Sequence, residues 1–203
     1  LRDVRFAVVD VETTGLDLRK DEVISVAILP MDGLKILVGS AYHTFVRPKS
    51  FRVSSIKYHG ITPEILENAP SFCEVSEEIM EKIDDRVLVG HGVSIDVEFL
   101  QKEFGKCGKK VRFEKSLDIA LVERVIGEIF GERPSREELT LESLARKYNV
   151  PLVYRHSAMA DAYIEAQIFQ IQMMRLMKYG INSLSALESF ISRLGISDSH
   201  FIF

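Results

Sequence analysis

Apolar positions recur along the chain at two periods, and the change of period divides it. Residues 5–11 form a Val-rich apolar run interrupted by one acid, Asp10, which reads as a buried strand. Residues 22–30 form a second such run, with 17–21 as the turn between them. Met31, Asp32 and Gly33 are a turn signal, and a third strand is predicted over 42–46, before Pro48. The opening stretch therefore reads as an antiparallel meander. Beyond it the spacing turns helical. Thr62 and Pro63 have the form of a helix start, and Phe72, Val75, Ile79 and Ile83 share one face of a helix over 71–83. A short apolar strand over 86–90 ends in Gly90. A helix over 94–104 follows, with Ile95, Phe99, Leu100 and Phe104 on one side. A strand near 112–116, a helix over 117–130, a polar link over 134–138, a short helix over 140–148 and a long helix over 157–179 complete the pattern.

Strands first, then strand and helix in alternation, predict an α/β or α+β domain. No internal repeat or linker interrupts residues 1–174, which are expected to form one domain. Residues 175–203, with one predicted helix over 183–194, are expected to be a helical appendage that either binds a partner or completes the fold.

Composition narrows the class. At 203 residues, 46% hydrophobic and 28% charged, the chain is ordinary for a globular protein large enough to bury a core without staples. No apolar run approaches the ~18 residues of a membrane span, and no charged segment followed by an apolar run opens the chain. The chain begins with Leu1 rather than Met, which leaves room for a natural start upstream. The formal charge is −4, which does not advertise a nucleic-acid partner but is weak evidence against one, because local charge decides such binding. Cys73 and Cys107 stand alone, without a C-x-x-C pair. They predict neither a disulfide framework nor a cysteine zinc site, and they suit a reducing, cytoplasmic location.

Several carboxylates stand in unusual places. Asp10 closes an apolar strand, and Glu12 lies two residues on, hence on the same face. Two carboxylates on one face repel, and a cation would reconcile them. A solvated strand end explains the pair equally well. Asp96 falls in the first turns of a predicted helix, where the helix dipole alone favours an acid. His156 precedes the long helix and Asp161 sits on its first turns between Ala160 and Ala162. Each of these two has an ordinary reading as a surface residue. Together the four acids and the His fall at element ends that an α/β core brings together. Hard oxygen ligands suit Mg²⁺ or Mn²⁺. Two such ions about 4 Å apart stabilise both the attacking and the leaving oxygen of a phosphodiester displacement. A nearby His, titrating near neutrality, can take the proton of the attacking water.

Asp10-Val11-Glu12-Thr13-Thr14-Gly15 resembles the first motif, D-x-E-T-T-G, of the DEDDh, or DnaQ-like, 3′–5′ exonucleases. Gly90-His91-Gly92-Val93-Ser94-Ile95-Asp96 resembles their second motif, and His156-Ser157-Ala158-Met159-Ala160-Asp161-Ala162 their third. Tyr58-His59-Gly60-Ile61-Thr62 resembles the family's H-G-I-T loop, and Ser116-Leu117-Asp118 its S-x-D junction. The resemblance covers roughly residues 3 to 174. It departs at Gly92, where Asn is common, and at Ile95, where Phe is frequent. Within the family the chain is similar to the proofreading subunit or domain of bacterial DNA polymerase III.

The resemblance implies a ribonuclease H-like fold, a five-stranded mixed sheet flanked by helices, and two Mg²⁺ or Mn²⁺ ions. It implies catalytic roles for Asp10, Glu12, Asp96, Asp161 and His156. Asp10, Glu12 and Asp161 would hold one ion, Asp10 would bridge to the second, Asp96 would act there largely through water, and His156 would be the general base. The expected reaction removes nucleoside 5′-monophosphates from the 3′ end of single-stranded DNA, with RNA as the alternative substrate and a DNA polymerase subunit as a candidate partner. Thr13, Thr14 and Gly15 adjoin the acids and offer N–H groups and hydroxyls to a terminal nucleotide. Leu16, by the resemblance, would wedge against its base, and His59 is a further candidate contact. Lys102, Lys106, Lys109, Lys110, Arg112 and Lys115 form a basic stretch that either meets phosphates or is a solvated face. A non-catalytic binding module is the alternative of another class. Loss of an acid or of the His would mark one, and all five are present.

Overall fold

The computed structural model describes residues 1–50 and 59–193. Its centre is a sheet of six strands: β1 (Arg5–Thr13), β2 (Val23–Asp32), β3 (Lys35–Ile36), β4 (Tyr42–Phe45), β5 (Val87–Gly90) and β6 (Ser116–Asp118). β1 and β2 pair antiparallel, and β3 and β4 both pair antiparallel with the far edge of β2, which is the predicted meander. β5 then pairs parallel with β1, and β6 parallel with β5. Parallel pairing needs crossovers, and helices supply them. The sheet is thus mixed, as expected, with the two-residue β3 as an unanticipated addition.

The helices are α1 (Pro63–Glu67), α2 (Phe72–Ile83), α3 (Val93–Lys106), α4 (Ile119–Phe130), α5 (Leu141–Lys147), α6 (Ala158–Lys178) and α7 (Leu184–Arg193). The strand expected near 112–116 lies instead at Ser116–Asp118, because Asp118 is both its last residue and the cap of α4, its carboxylate accepting from Ala120 N at 2.8 Å. That cap moves the helix start to Ile119.

Strand alternation sorts the core into two layers. Phe6 and Val8 of β1 join Ala27, Leu29 and Met31 of β2 on one face, against α4, α6 and α7. Ala7 and Val9 join Val26 and Ile28 on the other, against α2 and α3. Both faces are covered, so the central strands are apolar at nearly every position. The parity continues past the core. Asp10 and Glu12 follow Phe6 and Val8 and point toward the α6 side. α6 runs without a break to Lys178, and Leu187 and Ile191 of α7 are buried in the same core layer.

The two cysteines are a correction. Cys73 at the start of α2 and Cys107 at the end of α3 form a disulfide with Cα atoms 5.4 Å apart. The cause is helix packing: α2 and α3 lie side by side, with the rings of Phe72 and Phe104 5.1 Å apart, so the neighbouring cysteines meet. Residues 34 apart with no sequence motif gave no sign of this, and a pairing of lone cysteines does not support the reducing compartment inferred from them.

Candidate active site

β5 pairs with β1 only from Phe6 to Val8, so β1 runs on past its parallel neighbour. On that extension the N–H of Val11 donates to Asp96 Oδ1 at 3.0 Å. Asp96 comes from the first turn of α3, which starts where β5 ends at Gly90. The turn between them is built for this. Gly92 caps α3 with φ +72°, a left-handed conformation that Gly adopts freely and Asn tolerates better than most residues. The departure from Asn at this position therefore preserves the backbone. Asp118 Oδ2 accepts from Gly92 N at 2.8 Å, and Glu165 Oε1 accepts from His91 N at 3.2 Å.

Asp161 lies one turn into α6, and Glu165 one turn further on the same face. Asp161 is 7% exposed and Glu165 1%. Asp10 and Glu12 approach from β1. The four motif acids and Glu165 thus share one electrostatic neighbourhood. Desolvation, then the charges of Glu165, Asp96, Glu12 and Asp161, hold the Asp10 carboxyl well above the usual range. Glu12 is pushed up to about 7 by desolvation and by Asp161, with Arg155 opposing. Asp96 is pushed up to about 8 by burial, against the hydrogen bond from Val11. Burial, followed by Asp96 and Asp161, also raises Glu165 well above its ordinary value.

The basic partner in this cluster is Arg155. Its guanidinium forms an ion pair with Asp161 and reaches Glu142 Oε1 at 2.5 Å from Nη2. His156 stands on the exposed edge, and its backbone N–H donates to Asp161 Oδ2 at 3.3 Å. His156 and Tyr154 both have positive φ, +66° and +54°, in the segment that leads into α6. For residues other than Gly this is strained backbone, held here by the contacts of Arg155 and Asp161.

Among the described residues, no group of three or more His, Cys, Asp and Glu side chains is drawn tightly enough to enclose an ion. The donor set nevertheless fits Mg²⁺ or Mn²⁺ in chemistry: oxygen ligands only, on converging elements, with mutual repulsion that a divalent cation would relieve. Glu165 Oε2 is buried and has no hydrogen-bond partner among the described residues, which suits an oxygen that accepts from a cation.

The loop after β1 separates its residues by role. The Thr14 hydroxyl donates to Asp21 Oδ1 at 3.1 Å and accepts from Glu22 N at 3.0 Å, so it holds the loop together. A side chain at Gly15 would meet the Asp21 carboxylate at 2.4 Å, which fixes that position as Gly. Thr13 Oγ1 donates to Gly15 O at 2.7 Å. Leu16 projects beyond them, 79% exposed. His59 is buried, with Nδ1 accepting from Ile61 N at 3.0 Å, and no hydrogen bond or ion pair among the described residues joins it to the acids. Tyr58, which precedes it in the H-G-I-T loop, lies outside the described residues.

Much of the basic stretch is spent internally. Lys106 bridges Glu22 and Glu103 at 2.9 and 3.0 Å, Lys109 meets Glu77 at 2.6 Å, Lys115 meets Glu188 at 3.0 Å and Lys102 meets Glu103 at 3.2 Å. Lys110 and Arg112 remain exposed. Sequence reasoning missed Arg155, which had no signal beyond adjacency to His156. It missed Glu165 too, although the four-residue step from Asp161 was available.

A family profile for exonucleases matches residues 7–169. The DNA polymerase III subunit epsilon of Aquifex aeolicus is 31% identical over 191 residues, covering 93% of this chain and 90% of that protein. The PolC-type DNA polymerase III of Thermotoga maritima is 30% identical over 92% of this chain, which spans only 13% of the polymerase's length. Among solved structures, the nuclease domain of 3′hExo, a DEDDh protein bound to rAMP, superimposes with a TM-score of 0.70 at 18% identity, covering 87% of this chain and 92% of that one. With its profile match, its mixed sheet and its acids at three element ends, the chain belongs to the exonuclease family, among the DEDDh 3′–5′ enzymes with a ribonuclease H-like fold.

Proposed function

We propose that this chain is a divalent-metal-dependent exonuclease that removes nucleoside 5′-monophosphates from the 3′ end of single-stranded DNA. The observation that carries the reading is the meeting of the half-buried Asp10 and Glu12 with the buried Asp96 and Asp161 in one mutually repelling cluster. When bound, two Mg²⁺ or Mn²⁺ ions would supply charge stabilisation at the attacking and leaving oxygens. Asp10, Glu12 and Asp161 would hold one and Asp10 and Asp96 the other. His156, exposed at the mouth of the cluster, takes the proton of the attacking water. A P–O bond forms to that water, the bond from phosphorus to the 3′ oxygen of the preceding nucleotide breaks, and a new 3′ hydroxyl is left. Thr13 and Gly15 line the way in through their backbone, with Thr14 bracing the loop, and Leu16 packs on the terminal base. His59 is a further candidate contact in this reading, although its ring is buried against its own loop.

Proofreading beside a DNA polymerase subunit is supported by the likeness to the epsilon subunit along nearly its whole length. Within this reading residues 1–174 carry the chemistry, and 175–203 either bind a partner or complete the fold, with Leu187 and Ile191 in the core layer supporting the second role. No helix among the described residues is long and apolar enough to cross a membrane. RNA is the second reading, supported by the likeness to a nuclease domain bound to rAMP.

The test uses 5′-labelled DNA and RNA oligonucleotides of one sequence, with Mg²⁺, Mn²⁺ or EDTA, beside Asp10→Ala. A metal-dependent ladder shortening from the 3′ end, absent in the variant, is expected, faster on DNA. Equal turnover by Asp10→Ala would sink the assignment, and faster RNA shortening would exchange the substrates.

A further inference from the structure

Glu165 belongs to none of the three motifs, yet it is among the most deeply buried charged side chains described, at 1% exposure. Its two oxygens have different fates. Oε1 accepts from His91 N at 3.2 Å and so clasps the turn that leads to Asp96. Oε2 has no hydrogen-bond partner among the described residues. Of the carboxylates around Asp10, Glu165 acts on it most strongly, and Asp96 and Asp161 act in turn on Glu165. The Glu165 carboxylate, one turn along α6 from Asp161 and bonded to the turn before Asp96, therefore stands beside the motif acids.

Ionised, Oε2 has no hydrogen-bond donor among the described residues, which is costly for a carboxylate buried this deeply. An amide residue, whose carbonyl oxygen also accepts from His91 N, would clasp the turn at lower cost if the clasp were the whole role. We infer that Glu165 is a fifth carboxylate of the metal centre, with Oε2 the acceptor for a divalent ion or for water held on it. Two divalent cations carry four positive charges and Arg155 a fifth, so a fifth carboxylate brings the occupied site to balance and tightens its hold on both ions. Outer carboxylates of this kind change metal affinity by about 10–100-fold.

This inference rests on the two-metal reading, and the experiment separates their failures. Mn²⁺ binding is measured by the loss of the free-ion paramagnetic resonance signal, without substrate, for the full chain and for Glu165→Gln. Gln keeps a carbonyl oxygen for His91 N and removes the charge. The expected result is Mn²⁺ binding about tenfold weaker in Glu165→Gln, with melting in EDTA no lower than that of the parent. Glu165→Met, which leaves His91 N without its acceptor, serves as the second variant if Gln fails to fold, with Mn²⁺ binding again about tenfold weaker and melting in EDTA below that of the parent. Parent and variant binding Mn²⁺ equally would overturn the role of Glu165 alone. A parent that binds no Mn²⁺ would overturn the two-metal reading with it.

Discussion

The N–H of Val11 donates to Oδ1 of Asp96 at 3.0 Å, so the strand bearing two acids is tied directly to the helix bearing the third. The bond positions Asp96 and also holds the free edge of β1 beyond β5. Asp96→Asn keeps an acceptor for that N–H, whereas Asp96→Ala leaves a buried donor unpaired. Both variants should lose exonuclease activity. In EDTA, denaturant unfolding should place Asp96→Asn above Asp96→Ala by about 1–3 kcal/mol. Equal stabilities would mean that the bond does not matter to the fold.

Without metal, stability should fall as pH rises. Asp96 is held at about 8 and Glu12 at about 7, both above their ordinary values, so the native state binds more protons than the unfolded chain between roughly pH 4 and 8. Their contribution is complete below the ordinary carboxylate range and is lost as pH passes through 7 and 8. Each contributes up to about 1.4 kcal/mol per pH unit across its window. Melting curves in EDTA at pH 5 and pH 8 read the effect, and saturating Mn²⁺ should flatten the dependence because it binds the ionised acids. A melting temperature that climbs from pH 5 to 8 in EDTA would contradict the burial of these groups.

His156 sits outside the buried cluster and touches it through its backbone N–H. His156→Ala should leave Mn²⁺ binding largely in place and slow turnover by about 10²–10⁴-fold, the range of general-base contributions. Single-turnover rates at saturating metal measure this. Loss of metal binding with an unchanged rate at saturation would remove the base role.

Leu16 is a large apolar side chain that is 79% exposed beside the acids, with no packing role in the core. Leu16→Ala should leave unfolding within about 0.5 kcal/mol of the parent. It should weaken oligonucleotide binding several-fold, corresponding to roughly 1 kcal/mol of lost apolar contact. Fluorescence anisotropy with a catalytically silent Asp10→Ala background checks it. Unchanged affinity would leave Leu16 without a substrate contact.

The Cys73–Cys107 bond spans 34 residues, and the chain-entropy account gives such a closure about 4 kcal/mol. Reduction, or Cys73→Ser with Cys107→Ser, should lower unfolding stability by about that amount and leave the acid cluster in place. The comparison of oxidised and reduced protein in urea measures it. No difference would mean that the two thiols are not joined in solution.

Much of this molecule can be read from residue order, for reasons that differ by element. Asp10 and Asp96 stand out because an acid next to an apolar run contrasts with its neighbours, and the period-2 step from Asp10 to Glu12 places both on one face. Phe6, Val8, Ala27 and Leu29 reveal their layer by the same alternation. Glu165 does not stand out, because a Glu one turn along a helix that also carries Gln167 and Gln170 looks like any solvated position. Only the packing of α6 against β1 buries it. Arg155 is equally silent, since its partners Glu142 and Asp161 come from different elements. The disulfide depends wholly on how α2 lies on α3, and Asp118 moved the start of α4 because one residue ends a strand and caps a helix at once.

The bond between Cys73 and Cys107 closes the backbone into a covalent ring, and the ring contains Asp96 but none of Asp10, Glu12 and Asp161. A protease that cut once anywhere between the two cysteines would open this ring without dividing the molecule. The two pieces would travel together on a gel until a reductant was added. Before reduction Asp96 would stay joined to one flanking segment by the peptide chain and to the other through sulfur, so a nicked chain still carries every acid of the site on one molecule.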